Sequence, residues 1–378
     1  MDENGASVRR LAASSRVLNV TSRSDVLITV DELPDALASG AQLLDVRWNL
    51  GEQPGTGFGR YLQGHLPGAR FLDLEAVLTG PSTDPTLGRH PLPDAVQLGV
   101  GLGLLGTDPA RQFIVYDEPG SYAAGRAWWV LRWAGLDARV LDGGLRAWLA
   151  AGRELETDEP DIVPVAPLVL TTGHLPILDA DGVAGFEGVL IDVRAPERFR
   201  GDLEPLDPRA GHIPGAVNRP VVGFWDADGL LPPAEELKAM FPELDATIPE
   251  LPLMFPEPDT TIPEPDTTIP EPDEGPERGL RQAQPASERG LRQAQPALGG
   301  GLGQAQPALG GGLGQAQPAL GGGPGRAQPR IAVYCGSGVS AAQVVLALAS
   351  LGVDAALYPP SWSGWSNDPS RPVATGVV

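Results

Sequence analysis

Short apolar runs recur along the chain at 42–46, 112–116, 138–141, 189–193 and 330–334. They are mostly β-branched or Leu-rich, the pattern of strands buried on both faces of a parallel sheet. Between them, 125–134, 144–151, 234–241 and 340–351 read as helices. Alternation of strand and helix predicts βαβ units, hence an α/β fold of mainly parallel sheets flanked by helices.

The pattern repeats. Leu44-Asp45-Val46-Arg47 returns as Ile191-Asp192-Val193-Arg194, and Gly64-His65-Leu66-Pro67-Gly68-Ala69 returns as Gly211-His212-Ile213-Pro214-Gly215-Ala216, both 147 positions on. A duplicated domain accounts for two motifs at one offset. Val115-Tyr116-Asp117 then aligns with Val333-Tyr334-Cys335 at an offset of 218, and Trp148 with Trp365 at 217. The jump from 147 to 218 means that about 71 residues entered the second copy ahead of Val333.

The inserted material is low in complexity. Asp-Thr-Thr-Ile-Pro-Glu-Pro starts at Asp259 and again at Asp266, and Gly-Leu-Arg/Gly-Gln-Ala-Gln-Pro starts at Gly279, Gly290, Gly301 and Gly312. About one Leu per unit does not offset the entropy of ordering such a segment, so 245–329 is expected to be a disordered insert. The organisation expected is a disordered tail at 1–24, a first domain at 25–150, a Pro-rich acidic linker at 151–176, and a second domain at 177–378 that carries the insert.

Composition narrows the function. A net charge of -21 opposes nucleic acid as a partner, and an anionic substrate would need a local basic pocket. One cysteine allows no internal disulfide and no multi-thiolate zinc or iron–sulfur site; no metal or other cofactor is expected. No apolar run approaches a membrane span, and 1–24 lacks a signal-peptide core; a cytoplasmic protein is expected.

The candidate chemistry sits in one loop. Cys335 ends a predicted strand, Gly336-Ser337-Gly338 forms a turn, and Val339 and Ser340 open a helix. In open α/β sheets ligands bind at this edge. Loop N–H groups and the helix N-terminus favour negative charge on the sulfur, while Gly336 and Gly338 permit a tight cradle.

This loop closely resembles the active-site loop of the mercaptopyruvate and thiosulfate sulfurtransferases of the rhodanese superfamily. The likeness extends to Asp45-Val46-Arg47-Trp48, Gly64–Ala69, Arg126-Ala127-Trp128-Trp129, Leu141-Asp142-Gly143-Gly144-Leu145, Gly211–Ala216 and Ser361-Trp362-Ser363-Gly364-Trp365. It implies two tandem rhodanese-like domains. It also implies a Cys335 thiolate that takes sulfur from a small anionic donor as a persulfide and passes it to a thiol or cyanide acceptor. Cys-Gly-Ser-Gly-Val resembles the mercaptopyruvate branch, because thiosulfate-preferring members tend to carry basic residues where Gly336 and Ser337 stand. Arg198 matches the family's substrate-binding arginine, and Arg209 is expected as a second clamp. Ser337 and His65 are expected in a Ser–His–acid relay whose acid is unassigned, since 51–64 offers Glu52 and no Asp. Gly336, Gly338, Val339 and Ser340 complete the expected substrate cradle.

Asp117 stands in the first copy where the second has Cys335. A carboxylate carries no persulfide, so the first domain is expected to be catalytically silent and to wall the cleft, with Trp48 as one lining candidate. Pro359-Pro360 departs from the Asp142-Gly143 of the first copy. A dual-specificity phosphatase would need an arginine six positions after the cysteine, where Ala341 stands. The remaining rival is a non-catalytic sulfur-relay or binding module, which would form a persulfide without turnover.

Overall fold

The computed structural model describes residues 22–244 and 329–377. Apart from Pro329, the expected insert at 245–329 lies outside them, as does the tail through residue 21. Arg23, assigned to the tail from sequence, belongs instead to the fold. Its guanidinium donates to Asp142 (2.8 Å) and to the carbonyls of Leu231 (2.5 Å) and Pro232 (2.6 Å), tying the two halves together.

Two parallel sheets carry the chain. The first runs in the order β1 (Leu27–Ile28), β5 (Ala138–Leu141), β4 (Phe113–Tyr116), β2 (Gln42–Asp45), β3 (Arg70–Phe71). The second runs β7 (Val217–Asn218), β6 (Val189–Asp192), β8 (Ile331–Tyr334), β9 (Ala355–Leu357). Ile177 makes an isolated parallel bridge to Leu357, the counterpart of the β1–β5 pairing. β2, β4 and β8 are buried at every position, as their unbroken apolar runs require.

Each repeated motif performs one packing task twice. Asp45 and Asp192 are fully buried at strand ends, where an unpaired charge would be costly. Arg47 pairs with Asp45 at 2.8 Å and Arg194 with Asp192 at 2.6 Å. The same guanidinium groups reach the carbonyls of Gly64 (2.9 Å) and Gly211 (2.7 Å), joining the strand to the Gly-His-x-Pro-Gly-Ala turn.

The helices that follow β4 and β8, Ala123–Trp133 and Val339–Ser350, pack against each other. Both are buried almost throughout, so their apolar character on all sides is explained by core position. Gly125 sits at the crossing; a Cβ there would lie 2.6 Å from Gln343 Cα. One core therefore runs from Val115 and Trp129 in the first half to Val333, Val344 and Leu348 in the second. This crossing brings first-half loops to the amino end of the helix beside Cys335. No helix among the described residues is long and apolar enough to cross a membrane.

Candidate active site

Cys335 leaves β8 directly after Tyr334 and is 2% exposed. Gly338, at φ +83°, caps the Val339–Ser350 helix and turns its N–H onto Cys335 Sγ at 3.1 Å. A side chain is excluded there twice, by the left-handed backbone and because a Cβ would lie 2.5 Å from the Pro359 carbonyl oxygen. The Pro359-Pro360 departure thus forms a close wall of the loop.

The next turn fixes the loop from outside. Cys335 N–H donates to Ser361 Oγ (3.2 Å), and Ser361 donates to the Tyr358 carbonyl (2.9 Å). Trp362 and Ser363 donate their amides to the carbonyls of Cys335 and Gly336, each at 2.9 Å. These bonds satisfy the backbone around the sulfur, and Ser361 Oγ also lies 4.0 Å from Cys335 Sγ itself.

Ser337, 5% exposed, meets a histidine, but not the one expected. His90 Nδ1 lies 2.7 Å from Ser337 Oγ, and His90 Nε2 lies 3.2 Å from Glu75 Oε1. With the imidazole proton on Nε2, facing the carboxylate, Nδ1 accepts from the serine hydroxyl. Its bond to His90 chiefly holds the Glu75 carboxyl below its ordinary range, against burial. Trp48 braces the pair: its indole N–H donates to Glu75 (3.1 Å) and its ring meets His90 edge-on at 5.2 Å. His65 instead stacks on Tyr61 at 4.0 Å, with Nδ1 3.1 Å from the Leu66 carbonyl. It is the turn's own packing residue, as His212 is on Phe199 at 3.7 Å.

Both expected arginine clamps are ordered, with different employment. Arg198 Nη1 lies 3.4 Å from where a Gly336 Cβ would sit, and its Nη2 pairs with Glu204 (2.6 Å) and Asp207 (3.0 Å). Arg209, expected as a second clamp, donates elsewhere in the structure. Its guanidinium is spent on the backbone carbonyls of Trp365 (2.7 Å), Ser366 (2.8 Å), Asp368 (2.5 Å) and Arg371 (2.8 Å), which fasten the carboxyl-terminal segment. The cation that approaches Gly336 beside Arg198 is Arg89, ion-paired with Asp207. Val339 and Ser340 open the helix as expected; the amide bonded to Sγ is that of Gly338.

A further cation lies below the loop. Arg126, fully buried, donates Nη2 to the carbonyls of Leu78 (3.1 Å), His90 (2.9 Å) and Pro91 (3.1 Å), while Nη1 is 3.4 Å from the Gly338 carbonyl. Burial pulls its guanidinium down to about 10, opposed in part by the Glu75 carboxylate.

Sequence reading missed His90, Glu75 and Arg89. All lie beyond the repeated Gly-His-x-Pro-Gly-Ala motif, in a stretch without a matching counterpart in the second copy. Of four histidines, two sit in that motif; His90, in Gly88-Arg89-His90-Pro91, was the unrepeated one close to it and carried the available signal.

Comparisons with known proteins agree with this architecture. The Rhodanese-like domain family matches residues 29–151. SseB of Mycobacterium tuberculosis, provisionally named a thiosulfate sulfurtransferase, is 36% identical over 364 residues, covering 94% of this chain and 99% of the relative. A Pseudomonas aeruginosa protein, provisionally named a 3-mercaptopyruvate sulfurtransferase, is 33% identical over 363 residues, covering 93% and 98%. The crystal structure of SseA from Escherichia coli, described as having the rhodanese fold, superposes with a TM-score of 0.58 at 25% identity, covering 89% of this chain and 98% of that one. With these relatives matched over nearly their whole length, the chain belongs to the rhodanese-type sulfurtransferases and is an enzyme of that class.

Proposed function

We propose that this sulfurtransferase carries sulfane sulfur on Cys335, taking it from 3-mercaptopyruvate in preference to thiosulfate and passing it to a thiol or cyanide. The observation that carries the reading is the 3.1 Å bond from the Gly338 N–H to Cys335 Sγ. A donor of this kind, aimed from a helix start, favours an anionic sulfur before and after transfer.

With mercaptopyruvate, the thiolate attacks the donor sulfur, the carbon–sulfur bond breaks, and its electron pair leaves on the three-carbon enolate. The donor's S–H proton ends on that carbon, giving pyruvate and a cysteine persulfide anion. Ser337 Oγ is suited to take this proton as its own moves to His90 Nδ1, and to give it to the carbon as that proton returns; Glu75 holds the histidine in the required tautomer. With thiosulfate, the sulfur–sulfur bond breaks and sulfite leaves with the electron pair. Attack by the acceptor on the outer sulfur then restores the Cys335 thiolate. Arg198 is the cation that binds the donor's anionic group in this reading. A reducing cytoplasm suits a lone thiol that must stay free.

Mass spectrometry after exposure to each donor tests the reading. Wild type should gain one sulfur atom on Cys335, and Cys335→Ser should neither gain it nor turn over. Full transfer activity in Cys335→Ser would refute it.

A further inference from the structure

We infer that Arg126 is a positioning residue for sulfur transfer, whose buried guanidinium holds His90 and Gly338 in register across the two halves and keeps a positive charge beside the Cys335 sulfur. This rests on the persulfide reading above.

Arg126 is fully buried, yet every hydrogen-bond partner it has among the described residues is a backbone carbonyl. Its Nε is buried with no partner there. Buried charges are ordinarily paired, because taking one out of water without a counter-ion is costly. A neutral donor would meet carbonyls at less cost, so the charge itself calls for an explanation.

Two reacting groups hang on this one side chain. Nη2 donates to the carbonyl of His90 (2.9 Å), whose imidazole meets Ser337 Oγ at 2.7 Å. Nη1 reaches the carbonyl of Gly338 (3.4 Å), whose own N–H meets Cys335 Sγ at 3.1 Å. The bonds to Leu78 and Pro91 fix the chain on either side of this span. Close packing keeps the cation in place. Gly125, the preceding residue, lies at the helix crossing, and a Cβ on Gly338 would sit 3.4 Å from Nη1.

The charge lies one residue behind the sulfur, and the turn from Gly336 to Gly338 carries no cation of its own. Arg89 and Arg198, which also approach the loop, are paired with Asp207. The Glu75 carboxylate is bonded to His90 (3.2 Å) and Trp48 (3.1 Å) rather than to Arg126. An unneutralised charge in the interior acts on a nearby anion more strongly than one at the surface. The anion that arises here is the Cys335 thiolate, and after transfer its persulfide.

The test uses the full chain with Arg126→Gln and Arg126→Lys. Donor and acceptor kinetics are joined to the pH profile of iodoacetamide alkylation, which in a chain with one cysteine reads Cys335 alone. In Arg126→Gln, kcat should fall about ten- to a hundredfold as the acid–base group loses its placement. Its donor KM should stay within about twofold, because Arg126 does not touch the donor. Its alkylation profile should move up by about one to two pH units, the effect of removing a buried charge at this range. Arg126→Lys keeps the charge and loses the fork, so kcat should fall at least about threefold while the alkylation profile stays in place. If Arg126→Gln does not fold, the lysine variant decides: wild-type kcat, or a displaced profile, overturns the inference. So does a profile unmoved in folded Arg126→Gln, or a donor KM that rises while kcat holds. A lower melting temperature with kcat and profile both kept would mark a merely structural arginine and overturn it too. A wild type that acquires no persulfide defeats the parent reading; a wild type that does, with variants that transfer sulfur and alkylate like it, defeats this one alone.

Discussion

Ser361 takes the backbone conformation that Gly144 holds in the first half, φ +53° against +51°. Both follow the carboxyl end of a strand and precede an amide, Trp362 or Leu145, that donates at 2.9 Å to the carbonyl of Cys335 or Asp117. A side chain at such a φ is strained. In Ser361 the strain places a hydroxyl on the Cys335 N–H. Ser361→Ala should therefore keep the strain and lose the acceptor, costing about 1–3 kcal/mol. Ser361→Gly loses the same acceptor but regains about 1 kcal/mol from the relaxed backbone. Chemical denaturation should rank wild type above Gly and Gly above Ala. An alanine variant as stable as the glycine variant would show that no strain is stored there.

The two candidate histidines separate cleanly by experiment. His90→Gln removes the partner of Ser337 and should lower kcat about a hundredfold, the lower range for a positioned acid–base group, with little change in melting temperature. His65→Gln removes a ring stacked on Tyr61 inside the fold. It should cost about 1–2 kcal/mol of stability and leave the kcat of the folded enzyme within about twofold. The reverse pattern would return the relay to His65. Glu75→Gln should fall between wild type and His90→Gln in kcat, since it leaves the imidazole in place and removes what orients it.

Duplication made the fold legible. Asp45/Asp192 and Gly64/Gly211 occur in register because each pair solves a packing problem inside its own sheet, and such solutions repeat with the domain. Cys335 was legible for a local reason: strand, glycine turn and helix start are contiguous in sequence. His90, Glu75 and Arg89 were not, because their roles are set by the crossing of the Ala123–Trp133 and Val339–Ser350 helices, which joins segments some 250 positions apart, as with His90 and Ser337. Arg209 misled for the opposite reason. An arginine two positions before the Gly211-His212 turn looks free in sequence until the carboxyl-terminal carbonyls that consume its donors come into view.

Arg209→Met tests that reassignment. The four carbonyls it serves lie between Trp365 and Arg371, so removing the guanidinium releases the end of the second half from its turn. About 2–4 kcal/mol of stability should be lost, in the range of a broken buried hydrogen-bond network. Donor KM, measured at a temperature where the variant is folded, should stay within about twofold. A large rise in donor KM at unchanged stability would restore Arg209 as a clamp.

Asp117 makes the last prediction, and it concerns pH. It occupies the position of Cys335 and accepts the Ala124 N–H at 2.9 Å, much as the sulfur accepts that of Gly338. Burial pushes its carboxyl up to about 7, with the negative charges of Glu118 and Asp45 adding to the rise. An unfolded aspartate titrates near about 3.9. Below that pH both states hold the proton and the side chain is neutral in its effect on folding. Between there and about 7 the unfolded chain releases the proton while the native state retains it, so stability falls as pH rises; above about 7 the loss is complete. Asn at this position keeps the acceptor for Ala124 and cannot ionise. Asp117→Asn should thus match wild type at about pH 4 and exceed it at about pH 8. The residue as a whole is half-buried, and nearby solvent screens the penalty, so a gain of about 1–3 kcal/mol is expected. Urea denaturation midpoints at several pH values measure this directly. A difference between the two proteins that does not change with pH would mean that Asp117 ionises in the fold as easily as it does outside it.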